Sequence, residues 1–182
     1  ALGVGSIQIG TYSTANSENA VAVGGYAIGE SSVEVGSGST AQGNSSVSVG
    51  GHAIGKNSVA IGRGETSSAG ENSTAIGGGH TMGNNNVAIG MGTSTSGSYA
   101  TTVGGSSTAD YAVSVGNSAN ATKEQAVAIG YSSTATGKAS TAINAHTTAE
   151  AATAVGGANA TFKAATAIGN RAEAVAEQAT AI

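Results

Sequence analysis

The chain has no cysteine, no proline and no tryptophan, and its single phenylalanine is Phe162. The absence of cysteine fits an oxidising extracellular setting and the cytosol equally, so it does not fix a compartment. With 30 glycines in 182 residues and almost no bulky aromatic side chain, a large mixed core is excluded. What holds the chain together must be small residues at close range. Charge is scarce too: Lys56, Arg63, Lys123, Lys138, Lys163 and Arg171 stand against ten acids, for a formal net charge of −4. A nucleic-acid surface needs clustered Lys and Arg, and these are spread along the chain. The segment before Lys56 carries Glu18, Glu30 and Glu34 without a basic partner, which predicts a locally negative end. No signal peptide is recognisable, and no apolar run approaches the roughly 20 residues of a membrane helix.

What the chain does have is an internal repeat. Its register is marked by Ile9, Val23, Val35, Val49, Ile61, Ile76, Ile89, Val103, Val115, Ile129, Ile143, Val155, Ile168 and Ile182. Successive markers stand about 13 residues apart, a period short enough for one turn of a solenoid. Fourteen copies tile the chain, so residues 1–182 are read as one repeat domain. It begins and ends inside a repeat, and any targeting or anchoring part is expected outside it.

Each copy reads [A/S]-[V/I/T]-x-[V/I]-G. The residue two before the marker is β-branched throughout, from Ile7 and Val21 to Thr166 and Thr180. β-Branched residues suit a pleated strand, and a spacing of two places both on one face. We read this as the inward column of a short strand. The residue between them is Ala22, Ser48, Ala60, Ala75, Ala88, Ser114, Ala128, Ala142, Ala154 or Ala167 in ten copies, and Gln8 and Glu34 are exceptions. A solvated face has no reason to exclude long side chains so consistently. Those ten residues are therefore the candidates for a lateral contact between chains, with Glu34 expected close to the symmetry axis.

Glycine follows each strand, with Asn144 as the exception, and both residue types accept positive φ cheaply. A second, weaker strand is predicted around Ala15, Ala41, Thr95, Ala121, Ala135 and Ala174, and turns near Asn19, Asn44, Asn57, Asn72 and Asn85 lead back. Two short strands and two turns in about 14 residues describe one coil of a parallel β-solenoid, coils stacking about 4.8 Å apart into a rod of about 65 Å. The alanine-rich tail Ala172 to Ile182 keeps the register and is read as strand, against its helical propensity.

These segments carry a family resemblance. Asn57-Ser58-Val59-Ala60-Ile61-Gly62, Asn72-Ser73-Thr74-Ala75-Ile76-Gly77, Asn86-Val87-Ala88-Ile89-Gly90 and Gln125-Ala126-Val127-Ala128-Ile129-Gly130 resemble the YadA-like head of trimeric autotransporter adhesins. The resemblance implies an all-β, left-handed parallel β-roll, homotrimeric, at the tip of an outer-membrane-anchored fibre on the bacterial cell surface. It implies a virulence-related adhesive function: attachment to host cells or matrix proteins such as collagen, fibronectin or laminin, or bacterial autoaggregation. It implies no cofactor, no nucleic acid, and membrane contact only through a C-terminal anchor outside this segment. The family's collagen-associated pattern places a serine three residues after the glycine. Glu65 stands there after Gly62; Ser133 satisfies it after Gly130, but behind Gln125-Ala126 rather than Asn-Ser. No ligand contact is carried over.

Other chemistries fare less well. His52 and His146 lie seven coils apart, on the order of 34 Å, and His80 is in neither coil, so one chain cannot gather a metal set. Glycine clusters such as Gly77-Gly78-Gly79 lack the helix and lysine of a phosphate cradle. The only aspartate, Asp110, argues against a calcium-binding roll, and no histidine is placed with a carboxylate to activate a serine, so the chain reads as a non-enzyme. Two alternatives to an adhesin remain: a structural spacer of a surface fibre, and a Thr-rich ice-binding β-solenoid. Against the latter, Thr141, Thr153, Thr166 and Thr180 are placed in the inward column, and the candidate exposed threonines Thr93 and Thr95 do not repeat.

Overall fold

The computed structural model describes residues 2–62 and 66–182. Arg63, Gly64 and Glu65 lie outside the described residues, and with them the Glu65 position of the collagen-associated pattern. Two compact units are built from the same repeat, Ala1–Gly92 and Thr93–Ile182. Every strand pairing is parallel, and no helix occurs among the described residues.

In the first unit, the three-residue strands β1 (Ile7–Ile9), β3 (Val21–Val23), β5 (Val33–Val35), β7 (Val47–Val49), β9 (Val59–Ile61), β11 (Thr74–Ile76) and β13 (Val87–Ile89) stack in that order. Two-residue strands form the opposing sheet: β2 (Thr14–Ala15), β4 (Tyr26–Ala27), β6 (Thr40–Ala41), β8 (His52–Ala53), β10 (Ser67–Ser68) and β12 (His80–Thr81). The second unit repeats the plan. Its first sheet runs β15 (Thr101–Val103), β17 (Val113–Val115), β19 (Val127–Ile129), β21 (Thr141–Ile143), β23 (Thr153–Val155), β25 (Thr166–Ile168) and β27 (Thr180–Ala181). Its second sheet runs β14 (Ser94–Thr95), β16 (Ser106–Ser107), β18 (Asn120–Ala121), β20 (Thr134–Ala135), β22 (His146–Thr147), β24 (Asn159–Ala160) and β26 (Glu173–Ala174). The alanine-rich tail is thus strand, as its register required.

Register pairs like with like: Thr74 with Val59 and Val87, Ala75 with Ala60 and Ala88, Ile76 with Ile61 and Ile89. The interior of a coil is made of small residues from both sheets. Ala60, Ala75 and Ala88 from the first sheet and Ala27, Ala41 and Ala53 from the second have no exposed surface. In the second unit alanines fill the same columns in clusters, including Ala128 and Ala142 from the first sheet and Ala121 and Ala135 from the second. The first unit is richer in buried serine, and most of these hydroxyls find local partners. Ser32 Oγ donates to the Gly29 carbonyl at 2.6 Å and Ser48 Oγ to that of Gly51 at 2.6 Å. Hydroxyls also pair across a coil, as in Thr95 Oγ1 to Thr102 Oγ1 at 2.8 Å. Each such bond offsets the cost of taking a polar group out of water.

The inward column is therefore not the Val/Ile column expected from the sequence. From β3 to β25 the middle residue of each first-sheet strand points into the coil, and the flanking β-branched residues point out: Val49 and Ile61 are each 40% exposed, Ile129 37%. Thr141, Thr153 and Thr166 share that outward face and are half-buried. Thr93 and Thr95, expected at the surface, are fully buried.

The turns that close each coil explain two recurrent residue types. A Cβ on Gly43 would strike the Gly55 carbonyl, and one on Gly55 the Gly70 carbonyl, so glycine permits coils to approach there. At the neighbouring position Asn57, Asn72 and Asn85 hold φ of 54°, 52° and 59°. Their side chains bond along the stack, Asn57 Nδ2 to Asn72 Oδ1 at 3.0 Å and Asn72 Nδ2 to Asn85 Oδ1 at 3.4 Å.

Because the interior holds side chains no larger than threonine at almost every position, Ala88→Leu forces the sheets of one coil apart. We expect it to cost about 1–3 kcal/mol or more. Lys138→Ala, at an exposed turn, costs under about 0.5 kcal/mol. Urea melts of the two variants check this; equal midpoints would contradict the assignment of inside and outside.

Candidate functional site

The ten residues expected to meet a partner chain are placed elsewhere. Ala22, Ser48, Ala60, Ala75, Ala88, Ser114, Ala128, Ala142, Ala154 and Ala167 are all fully buried within the single chain. They pack against the second strand of their own coil, so they cannot form a contact surface between chains. Small size did signal a close approach, but between two sheets of one chain. The usable signal was the matching column Ala15, Ala27, Ala41 and Ala53 on the second strand, which faces them with equally small side chains.

What a single chain leaves uncovered is the outward face of each first sheet. In the first unit it carries Val35, Val49, Ile61 and Ile89, each between 37% and 40% exposed; in the second, Val115, Ile129 and Ile168 are 36% to 41% exposed. Branched aliphatic residues at every strand, unbroken by charge, form an apolar ladder, the kind of surface that marks an interaction site.

The outward face of each second sheet is chemically different. In the first unit Thr14, Tyr26, Thr40, His52, Ser67 and His80 occupy one column. His52 and His80 thus share a column with Ser67 between them, about 10 Å apart at strand spacing. Among the described residues no group of three His, Cys, Asp or Glu comes together to hold an ion. In the second unit the column reads Ser106, Asn120, Thr134, His146 and Asn159. Thr108, Thr122, Thr136, Thr148 and Thr161 follow two residues on, half-buried to exposed. Ser133, the residue matching the collagen-associated serine, points inward instead: it is 1% exposed and its Oγ donates to the Ile129 carbonyl at 2.7 Å.

Most charges read from the sequence as scattered fall on one edge within each unit. Glu18, Glu30, Lys56 and Glu71 in the first unit precede positive-φ turn residues, as do Asp110, Glu124, Lys138, Glu150, Lys163 and Glu177 in the second. Their carbonyls accept from the turn of the next coil, as Glu124 O does from Ala139 N at 2.9 Å. The stacking aligns opposite charges: Lys138 Nζ lies 2.9 Å from Glu124 Oε2, and Lys163 Nζ 3.3 Å from Glu150 Oε2. Both pairs are exposed, so they set the pattern of the edge more than its stability. Tyr99 and Tyr111, at the adjacent turn position, stack with ring centroids 5.2 Å apart. The signal for this edge was present in the sequence, since each charge immediately precedes the turn residue of its coil.

Glu34 is the exception inside. It occupies the small-residue column between Ala22 and Ser48 and is fully buried, not placed on a symmetry axis between chains. Gly25 makes the space, since a Cβ there would fall on the Glu34 carboxylate. Ser39 Oγ donates to Oε1, and Oε2 has no partner. Burial pushes the carboxyl above its ordinary value, partly offset by hydrogen bonds from Ser39 and the backbone at Gly25 and Val23. A raised folded-state pKa contributes stability that is complete below the unfolded value and lost as pH rises through the folded one. Thermal melts from about pH 4 to pH 8 should show this decline. Glu34→Gln keeps the shape, removes the slope, and raises stability at the alkaline end by about 1–3 kcal/mol. An unchanged profile would mean that Glu34 reaches solvent.

The repeat matches a known family. A family model described as YadA head domain repeat (2 copies) matches residues 1–27, 53–79, 107–133, 121–143 and 163–182, more than half of the chain. No individual curated protein matches it. The chain belongs to the YadA head domain repeat family, parallel β-solenoids with an adhesin-type surface function.

Proposed function

We propose that this chain is the head of a homotrimeric bacterial surface adhesin, displayed outside the cell by an anchor elsewhere in its protein. In this reading it attaches cells to host matrix or host cells, or to one another, without catalysis or a cofactor. The observation that carries it is the two-faced coil: an aliphatic ladder that one chain cannot cover, opposite a polar face that repeats at every strand. Three ladders packed together would bury the remaining third to half of each Val and Ile, contributing roughly 0.5–1 kcal/mol per side chain. Summed over both units, this suffices for stable association. The polar second sheets then face solvent all round, and weak contacts recurring along and around the assembly give avidity without a deep pocket.

The ice-binding reading has one observation in its favour, the outward column of Thr108, Thr122, Thr136, Thr148 and Thr161. The neighbouring column of Ser106, Asn120, Thr134, His146 and Asn159 does not repeat, so the array is one residue wide and fits a two-dimensional lattice poorly. The adhesin reading accordingly expects no thermal hysteresis. The spacer reading differs from it only in expecting no binding.

Two measurements test the proposal. Light scattering of the unmodified chain should give three chains per particle, and Ile61→Asp with Ile129→Asp should give folded single chains, because each change places a charge on the ladder. A stable, folded monomer of the unmodified chain would contradict the assembly. The immobilised trimer should bind at least one of collagens, fibronectin, laminin or epithelial cells, and the monomeric variant should lose about a hundredfold in apparent affinity. Failure to bind the whole panel would favour the spacer.

A further inference from the structure

The chain contains four Asn-x-Ser/Thr tripeptides, the pattern that asparagine glycosyltransferases accept: Asn44-Ser45-Ser46, Asn72-Ser73-Thr74, Asn120-Ala121-Thr122 and Asn159-Ala160-Thr161. In sequence they are equivalent, but the fold separates them. Asn44 Oδ1 accepts from the Glu30 N–H at 3.2 Å, and its hydroxyl partner Ser46 is fully buried. The Asn72 carboxamide is held between Asn57 and Asn85 in the turn ladder, while Thr74 sits on the Val/Ile face. The other two tripeptides coincide with second-sheet strands of the second unit, with a buried alanine at the middle position. Alternation along a strand then puts asparagine and threonine on the same outward face. Asn120 and Asn159 are half-buried, Thr122 and Thr161 half-buried and exposed. None of the four side chains is engaged by another side chain among the described residues.

We infer that Asn120 and Asn159 are acceptor sites for an N-linked hexose donated by a nucleotide-activated sugar. In the transfer, Asn Nδ2 bonds to the anomeric carbon as the bond from that carbon to the nucleotide diphosphate breaks. The diphosphate leaves with the electron pair and the amide nitrogen gives up one proton, so no oxidant or reductant is involved. Asn120 and Asn159 are three strands apart in one column, about 14 Å at strand spacing. Two sugars can therefore stand side by side in solvent, and neither touches the Val/Ile ladder on the opposite sheet.

The test is co-expression of the whole chain with a soluble asparagine hexosyltransferase specific for Asn-x-Ser/Thr, using cellular UDP-glucose, followed by peptide mapping of the folded fraction. Hexose is expected at Asn120 and Asn159, with Asn44 and Asn72 occupied at least tenfold less. Thr122→Ala and Thr161→Ala should each abolish the adjoining site, Thr→Ser at either should retain it, and the melting temperature of the modified chain should match that of the unmodified one. A folded fraction without hexose at Asn120 and Asn159, or carrying as much at Asn44 and Asn72, would overturn the assignment, as would a modified chain that melts lower.

Discussion

Everything in this molecule depends on how closely the two sheets of one coil approach each other. A coil this short leaves no room between its strands for a side chain larger than threonine, apart from Glu34 and Asn86. The interior is consequently a set of stacked alanine, serine and threonine columns, and glycine stands where even a methyl group would strike the neighbouring coil. Such an interior contributes little apolar area per residue. Cohesion comes instead from the parallel ladders of backbone hydrogen bonds and from hydroxyls satisfied within the coil.

The same constraint expels the larger aliphatic residues. Valine and isoleucine have the strand propensity that the first sheet needs, but no place inside, so they line its outer face. The division of roles follows: small residues determine that a coil forms, and large ones are left for a surface contact. Charge is likewise excluded from both sheets for the most part and collects at the turn edge, where stacking pairs Lys138 with Glu124 and Lys163 with Glu150. Glu34 shows the cost of breaking the rule, since it needs Gly25 opposite it and still leaves one carboxylate oxygen unpaired.

Much of the fold was legible because a short period repeats the same alternation down the whole chain, and each error would have had to recur at every coil. Strands, turns and even the alanine-rich tail followed from that register. Which face pointed inward did not. A small-residue column suits either a coil interior or a lateral contact, and alternation alone assigns two faces without labelling them. Ala128 and Ile129 were therefore exchanged, and with them the candidate contact between chains. The edge of charges carried a sequence signal, each charge standing immediately before its turn residue, whereas the outward threonine column is defined by stacking variable-length turns, which requires the three-dimensional register of the second sheet. Glu34 stands out in its column, yet its carboxylate is enclosed by its own chain and does not lie on an axis between chains.

The chain has no cysteine, so single introduced thiols report cleanly on each face. The most direct measurement compares Ile129→Cys with Ala128→Cys under a short bifunctional maleimide at neutral pH. Cross-linked chains from Ile129→Cys and none from Ala128→Cys are expected, because only the former side chain leaves its own coil. Cross-linking through Ala128→Cys, with Ile129→Cys inert, would reverse the two faces and contradict the account.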